Sequence, residues 1–168
     1  MVARARPDLQ IASVIARRGM ADALAARVKA LFALDLPAGP SRADGVGVAF
    51  LGVGPDRWLA VRTGGGELAA ELARDLAGLA SVSDQSDGYA AVELGGSDAR
   101  RALAKGVPLD LHPAAFAPND VAVTLIAHVG AVVWRADDAF LVAVFRSYAG
   151  SFWGWLAQSA AEFGLEVV

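Results

Sequence analysis

The sequence contains no cysteine, and this absence excludes several kinds of site at once. Disulfide bonds, thiolate nucleophiles, iron–sulfur clusters and zinc sites built from thiolates all depend on cysteine. A chain without cysteine is also compatible with a reducing compartment. The fold therefore has no disulfide to stabilise it, and it needs none, because a chain of 168 residues is long enough to bury roughly 70% of its unfolded surface.

Charge and long apolar runs are also scarce. Fifteen basic and eighteen acidic side chains give a net charge of −3, so no broad attraction to nucleic acid or to an anionic membrane is expected. No uninterrupted apolar run reaches about 18 residues, and Arg17 and Arg18 interrupt the first apolar segment, which argues against a transmembrane helix and a signal peptide. We therefore predict a cytoplasmic protein with no membrane and no nucleic-acid partner.

Apolar residues are what the chain has in excess. They make up 55% of the sequence and charged residues 20%, where an ordinary soluble domain has about 45–50% and 25%. Abundant alanine is one explanation, and an apolar surface that a partner covers is the other. We favour the interface interpretation.

The spacing of the apolar residues predicts two similar halves, at about 9–80 and 88–168. Each half has a strand, a helix, a pair of strands typical of a hairpin, and a second helix. This order predicts an α+β fold of two packed ferredoxin-like βαββα units with antiparallel sheets, forming one compact domain over residues 9–168. Residues 1–8, with their charges and Pro7, are predicted to form a loose N-terminal arm.

Three features of the sequence could carry chemistry, and each has a structural alternative. The glycines at 64–66 separate a predicted strand from a helix, where N–H groups could hold a phosphate, but no nucleotide fingerprint is complete, which favours a flexible link. His112 and His128 have no cysteine near them, so structural hydrogen bonds are favoured over metal ligation. The polar cluster at residues 83–87 is typical of a turn. We predict no catalytic, cofactor-binding or metal site in this chain.

Contact with another protein is predicted for a small set of side chains. Trp153 lies outside the apolar stripe of the last helix and beside a glycine, which leaves exposure and burial in a second layer both open. Arg146 and Tyr148 directly precede that helix. Asp110 and His112 lie in a link between a short predicted helix at 97–105, capped by Ser97 or Asp98, and the next strand. The candidate contact residues are Arg146, Tyr148, Trp153, Asp110 and His112.

Several motifs together resemble a known family. They are GVGPDRWL at residues 52–59, DQSDG at 84–88, LGGSDARRALAKGVPLDLHP at 94–113, FRSY at 145–148 and WGWL at 153–156. With these residues the chain resembles the gamma subunit of heterotetrameric sarcosine oxidase, most strongly from about residue 83 to residue 156. The segment KGVPLDLHP is the most specific part, whereas GSDA before a helix is similar to a wider superfamily of folate-binding aminomethyltransferases.

The resemblance implies a function for the assembled complex and not for this chain alone. Such a complex oxidises sarcosine to glycine, passes the methyl carbon to tetrahydrofolate and forms hydrogen peroxide. The resemblance implies that FAD, FMN, NAD, zinc and tetrahydrofolate are bound by alpha, beta and delta partner subunits, while the gamma subunit is similar to part of an aminomethyltransferase folate-binding domain. The alternatives are a gamma subunit of a related N-methyl amino acid dehydrogenase and a stand-alone folate-binding protein.

Overall fold

The computed structural model describes residues 1–136 and 138–168, which form two compact units. The first unit is Asp8–Gly88, and the second combines Met1–Pro7 with Tyr89–Val168. None of the helices in the described residues has the length and hydropathy of a membrane span.

The predicted N-terminal arm is wrong, because β1 (Val2–Ala5) is an inner strand of the second unit's sheet. Ala3 is fully buried there, and the strand pairs antiparallel with β7, from Val2 opposite Gly95 to Ala5 opposite Val92. The charged side chains at alternate positions misled the prediction, since a strand can expose every second side chain while its backbone is fully paired.

The first unit has seven elements in chain order: β2 (Leu9–Ala16), α1 (Ala21–Phe32), β3 (Arg42–Gly45), β4 (Val48–Gly54), β5 (Arg57–Thr63), α2 (Leu68–Asp75) and β6 (Ala80–Asp84). The sheet order is β3-β4-β5-β2-β6, and every neighbouring pair is antiparallel. The predicted β4–β5 hairpin is confirmed. Strands β3 and β6 were not predicted, because they are short, polar edge strands without a clear apolar alternation.

The helices of the first unit pack on one face of its sheet. Leu24 and Val28 from α1 and Leu72 from α2 join a buried cluster with Val14 and Phe50 of the strands. These helix residues follow the spacing of three and four that places side chains on one face. Burial of each large side chain contributes about 1.5–3 kcal/mol to stability.

The second unit continues with β7 (Tyr89–Gly95), α3 (Ala99–Leu103), β8 (Val121–Ile126), β9 (Val129–Ala136), β10 (Ala139–Phe145), α4 (Ala149–Ala160) and β11 (Glu166–Val167). Its sheet order is β11-β1-β7-β10-β9-β8, and among the described residues β1 and β11 form the one parallel pair. The predicted hairpin of β9 and β10 is confirmed by the pairing of Ala136 with Ala139. Asp137, which we placed in its turn, lies outside the described residues. Strand β1 lies antiparallel beside β7, as β6 lies beside β2.

The core of the second unit lies between the sheet and helices α3 and α4. Leu103 of α3 and Phe152 and Leu156 of α4 pack with Val133 and Val142 of the central strands. The α+β class with antiparallel sheets is thus confirmed. The two helices meet the sheet on one face, as predicted for each half.

The short helix α3 differs from its prediction at its start. It begins at Ala99, and Asp98 makes no side-chain cap bond. Instead, Asp98 Oδ1 accepts a hydrogen bond from Arg101 Nη1 at 2.8 Å, because a guanidinium one turn later offers a charge-assisted partner. The helix ends at Leu103, two residues before its predicted end at residue 105, and a turn that includes Gly106 follows.

Candidate functional site

The glycine-rich loop at residues 64–66 is bound by a side chain of the first unit. Gln10 Nε2 donates hydrogen bonds to the carbonyl oxygens of Gly64 at 2.8 Å and Gly66 at 2.9 Å. Gln10 Oε1 accepts from the Leu68 N–H at 2.9 Å, at the start of α2. An N–H group that a phosphate would need is therefore already used within the chain. The loop is a link held in place by Gln10.

An ion pair beside this loop also supports its role as a structural link. Arg62 Nη1 and Nη2 donate to the two carboxylate oxygens of Glu71 at 2.6 and 3.1 Å. These hydrogen bonds hold the pKa of Glu71 below its usual range, so the carboxylate is charged. Because Glu71 neutralises the Arg62 guanidinium, the loop has no unpaired positive charge from this arginine to attract a phosphate. At Gly66, whose φ is +121°, a Cβ would lie only 2.8 Å from Arg62 Nη2, which explains the glycine.

The polar cluster at residues 83–87 forms the turn that the sequence predicts. Asp84 Oδ1 accepts hydrogen bonds from the Ser86 N–H at 2.9 Å and from Ser86 Oγ at 2.7 Å. The backbone bond from Ser86 is the largest cause that lowers the pKa of Asp84. Ser86 Oγ also accepts from the Ile11 N–H at 3.1 Å and so fixes the turn to β2. The Asp84 carboxylate therefore stabilises this turn.

The two histidines lie in different turns of the second unit. The His112 N–H donates to Asp110 Oδ1 at 2.8 Å, and the Ala114 N–H donates to His112 Nδ1 at 3.2 Å. His128 and Ala127 both have positive φ, 76° and 45°, and form the two-residue turn between β8 and β9. No group of three or more His, Asp or Glu side chains within residues 1–136 and 138–168 is arranged to hold a metal ion.

Lys105 is a residue whose role sequence reasoning missed. Its Nζ donates to the Ser159 carbonyl oxygen at 2.6 Å, near the end of α4. The same ammonium forms an ion pair with Glu162 and lies 4.7 Å from the centre of the Phe163 ring. A cation at the end of a helix is favoured by the carbonyls that lack an intrahelical partner. Lys105 thereby fastens the end of α4 to the segment that follows α3.

The neighbouring glycine makes a second contact with α4. A Cβ placed at Gly106 would lie 2.4 Å from Trp155 Cζ2 and 2.8 Å from Trp155 Cε2. The indole therefore packs directly on the backbone. The KGVPLDLHP segment begins with two residues that bind α4, and its Asp110 and His112 shape the following turn. In the sequence, this segment stood out only as the most specific part of the family resemblance, and nothing indicated its contacts with α4.

The candidate contact residues near α4 are exposed. Tyr148 is 51% exposed and Trp153 is 36% exposed, and no described hydrogen bond or ring contact joins them. Arg146 Nη2 donates to the Tyr89 carbonyl oxygen at 2.8 Å, so this guanidinium is partly engaged within the unit. Phe145, 50% exposed and stacked on Tyr89 at 5.0 Å, was not predicted as a surface residue. Its position at the end of β10, after the buried residues of that strand, could have indicated that Phe145 is exposed.

Two glycines on the same helix leave the surface around Trp153 flat. Nothing lies within 4 Å of a Cβ built at Gly150 or Gly154, and neither has a positive φ. Glycine within a helix costs about 1 kcal/mol relative to alanine, and no contact among the residues that the structure describes requires it here. We call Tyr148, Gly150, Trp153 and Gly154 the α4 surface. It combines exposed aromatic rings with room for close approach, which is typical of protein contacts.

Comparison with known proteins relates most of the chain to one family. The model of the sarcosine oxidase gamma subunit family matches residues 17–162. Sarcosine oxidase subunit gamma of Corynebacterium sp. (strain P-1) is 36% identical over 124 residues, and that of Arthrobacter sp. is 34% identical over 124 residues. Each alignment covers 73% of this chain but 61% of the relative, so the aligned region spans less than two thirds of these relatives.

Two solved structures have similar folds. A chain of the heterotetrameric sarcosine oxidase from Corynebacterium sp. U-96, in complex with pyrrole 2-carboxylate, superposes with a TM-score of 0.84 and 28% identity over 99% of this chain and 87% of that chain. The glycine cleavage system aminomethyltransferase T from Bartonella henselae gives a TM-score of 0.66 at 14% identity, over 99% of this chain and 47% of that chain. The second similarity concerns the fold alone.

Proposed function

Because the chain belongs to the sarcosine oxidase gamma subunit family, we propose that it is a non-catalytic structural subunit of a heterotetrameric, sarcosine-oxidising complex. The observation that carries this proposal is the family match over residues 17–162 together with the TM-score of 0.84 to a chain of such a complex. In the proposed reaction sarcosine becomes glycine, the methyl carbon passes to tetrahydrofolate, and hydrogen peroxide is formed. We place the complex in the cytoplasm.

The partners in this proposal are subunits of the alpha, beta and delta type. They bind FAD, FMN, NAD, zinc and tetrahydrofolate, and this chain binds none of these groups. The hydrogen bonds of the candidate segments support this division of roles. Gln10, Glu71, Asp84 and His112 each bond to groups of their own unit, so their polar atoms serve the fold.

The contact with the partners is assigned to the second unit. The α4 surface offers Tyr148 and Trp153, and large aromatic side chains contribute most of the binding energy at many interfaces. Arg146 lies just before α4, while Asp110 and His112 form a second exposed turn. An apolar surface that is covered in the complex also accounts for the apolar fraction of 55%.

Purification of the chain alone and with its partner subunits tests this function. We expect the isolated chain to fold, to lack sarcosine-dependent peroxide formation and to bind no stoichiometric flavin. Co-expression with flavin-binding alpha and beta subunits should give one complex that contains this chain. Sarcosine oxidation or stoichiometric flavin binding by the isolated chain would contradict the proposal.

Two further measurements separate the alternatives. A reduced folate is titrated against the tryptophan fluorescence of the isolated chain, and a saturable change would favour a folate-binding protein. The complex is then assayed with sarcosine and with N-methylglutamate. A higher kcat/KM for N-methylglutamate would assign the chain to a related N-methyl amino acid dehydrogenase.

A further inference from the structure

Strand β8 is an unprotected edge of the second unit's sheet. It pairs only with β9 among the described residues, and its sequence VAVTLI contains neither charge nor proline. Val123 is 61% exposed and Leu125 is 52% exposed. Proteins usually protect a free edge with charged residues, proline or a covering segment. The edge strand β3 of the first unit, by contrast, carries Arg42 and Asp44.

The hydrogen bonds at the start of β8 determine which backbone groups point outward. The Asn119 N–H donates to the Arg135 carbonyl oxygen at 3.0 Å, and the Arg135 N–H donates to the Asp120 carbonyl oxygen at 3.1 Å. In an antiparallel pair, hydrogen-bonded residues alternate with residues whose backbone groups face away. The register then directs the backbone of Ala122, Thr124 and Ile126 to β9 and leaves that of Val123 and Leu125 at the free edge, whereas Val121 is buried.

We propose that β8 pairs with an extended, apolar strand of a partner subunit, so that the sheet continues across the subunit interface. The proposal rests on the proposed function, since it takes the strand from a subunit of the same complex. A row of alternating N–H and C=O groups is complementary to the backbone of another strand. The exposed side chains of Val123 and Leu125 lie on one face of β8 and require apolar neighbours there.

The size of the edge argues for a partner subunit instead of a second copy of this chain. Six residues extend over about 20 Å, and a contact about 10 Å deep then covers on the order of 200 Å² per chain, against about 800 Å² in a stable interface. Two copies joined only through β8 would therefore dissociate. A subunit that also binds another surface can add a strand as one part of a larger interface.

Hydrogen exchange at β8 tests the proposal directly. It is measured by mass spectrometry on the isolated chain and on the complex with alpha, beta and delta subunits. In the isolated chain the outward amides of Val123 and Leu125 should exchange rapidly and the three inward ones slowly. In the complex all five of these amides should exchange slowly. A complex in which the outward amides stay rapid would overturn the proposal, and so would slow exchange caused by self-association of the isolated chain.

Two substitutions at Val123 test the pairing without removing a bond to β9. Val123→Pro deletes one outward N–H, and Val123→Lys places a charge on the edge. We expect both variants to fold with a melting temperature near that of the wild type and to bind the complex at least tenfold more weakly. Val46→Lys, at a valine that is 74% exposed in the first unit, is the matched control and should bind normally.

The outcomes separate this proposal from the proposed function. If the wild type forms no heteromeric complex, the proposed function fails and the strand pairing fails with it. If the wild type forms the complex and both Val123 variants bind as tightly as Val46→Lys, only the strand pairing is refuted.

Discussion

Replacement of Gly106 by alanine tests the contact between the KGVPLDLHP segment and α4. The added Cβ would lie 2.4 Å from Trp155 Cζ2 and 2.8 Å from Cε2, and these are atoms of a rigid indole ring. The ring cannot simply swing away, because Phe152, which is 2% exposed, lies against it with the ring centres 6.1 Å apart. Either the indole or the backbone of α4 must shift.

The expected cost combines two opposing effects. Overpacking of this kind typically costs about 1–3 kcal/mol. Alanine also restricts the unfolded chain, which stabilises the folded state by about 0.4–1 kcal/mol where the backbone is compatible, and Gly106 does not have a positive φ. We therefore expect a net loss of about 0–2.6 kcal/mol, and each kcal/mol lowers the melting temperature by about 2–4 °C in a chain of this size.

Denaturant and thermal unfolding of the isolated chain measure the effect. Gly130→Ala is the matched control, because nothing lies within 4 Å of a Cβ at that position and its φ is not positive. It should be neutral or slightly stabilising. If Gly106→Ala is as stable as Gly130→Ala, the packing of Trp155 on Gly106 is refuted. Smaller destabilisation by Gly106→Ala in a Trp155→Phe background would show that the indole causes the loss.

Three further predictions concern other contacts. Lys105→Met removes the hydrogen bond to the Ser159 carbonyl and should lower the free energy of unfolding by about 1–2 kcal/mol. The pKa of Asp84 is lowered by its bonds to Ser86. The Asp84 carboxylate therefore stabilises the fold above the unfolded pKa of about 3.9, and this stabilisation is lost as pH falls through the folded pKa. Asp84→Asn should give a melting temperature that depends less on acidic pH. Trp153→Glu should weaken binding to the partner subunits and leave the isolated chain folded.

Each of these predictions has its own control. Gln158→Glu introduces the same charge as Trp153→Glu at another exposed position of α4, and equal binding by the two variants would exclude the α4 surface as a contact. For Lys105→Met, an unchanged unfolding midpoint would mean that the bond to α4 contributes nothing measurable. For Asp84→Asn, a pH profile parallel to that of the wild type would show that Asp84 titrates alike in both states.

Long apolar elements could be predicted because their periodicity is local. Helices α1 and α4 and the strands β4, β5, β9 and β10 all show their pattern within one segment of chain. The missed strands are short or polar. Strand β1 forms because β7 lies beside it in the folded unit, although the two are more than eighty residues apart in sequence.

The contacts of the candidate site also differ in whether they join residues near to or far from each other in sequence. The turn at Asp84 and Ser86 involves residues two apart, so its residue types indicated it directly. The bonds from Lys105 to Ser159 and from Gln10 to the glycine loop join residues more than fifty apart. No residue type marks such a partner in advance, since lysine and glutamine are most often solvated.

The sequence by itself therefore determined the absence of thiol chemistry, the apolar excess, the α+β class and the motifs that resemble the gamma subunit family. The tertiary structure decided that residues 2–5 complete a sheet, that KGVPLDLHP begins with two contacts to α4, and that β8 has a free edge. The physical reason is the sequence separation over which each interaction acts. Periodicity and turn chemistry act between neighbours in sequence, whereas strand pairing and packing act between residues that only the folded chain brings together.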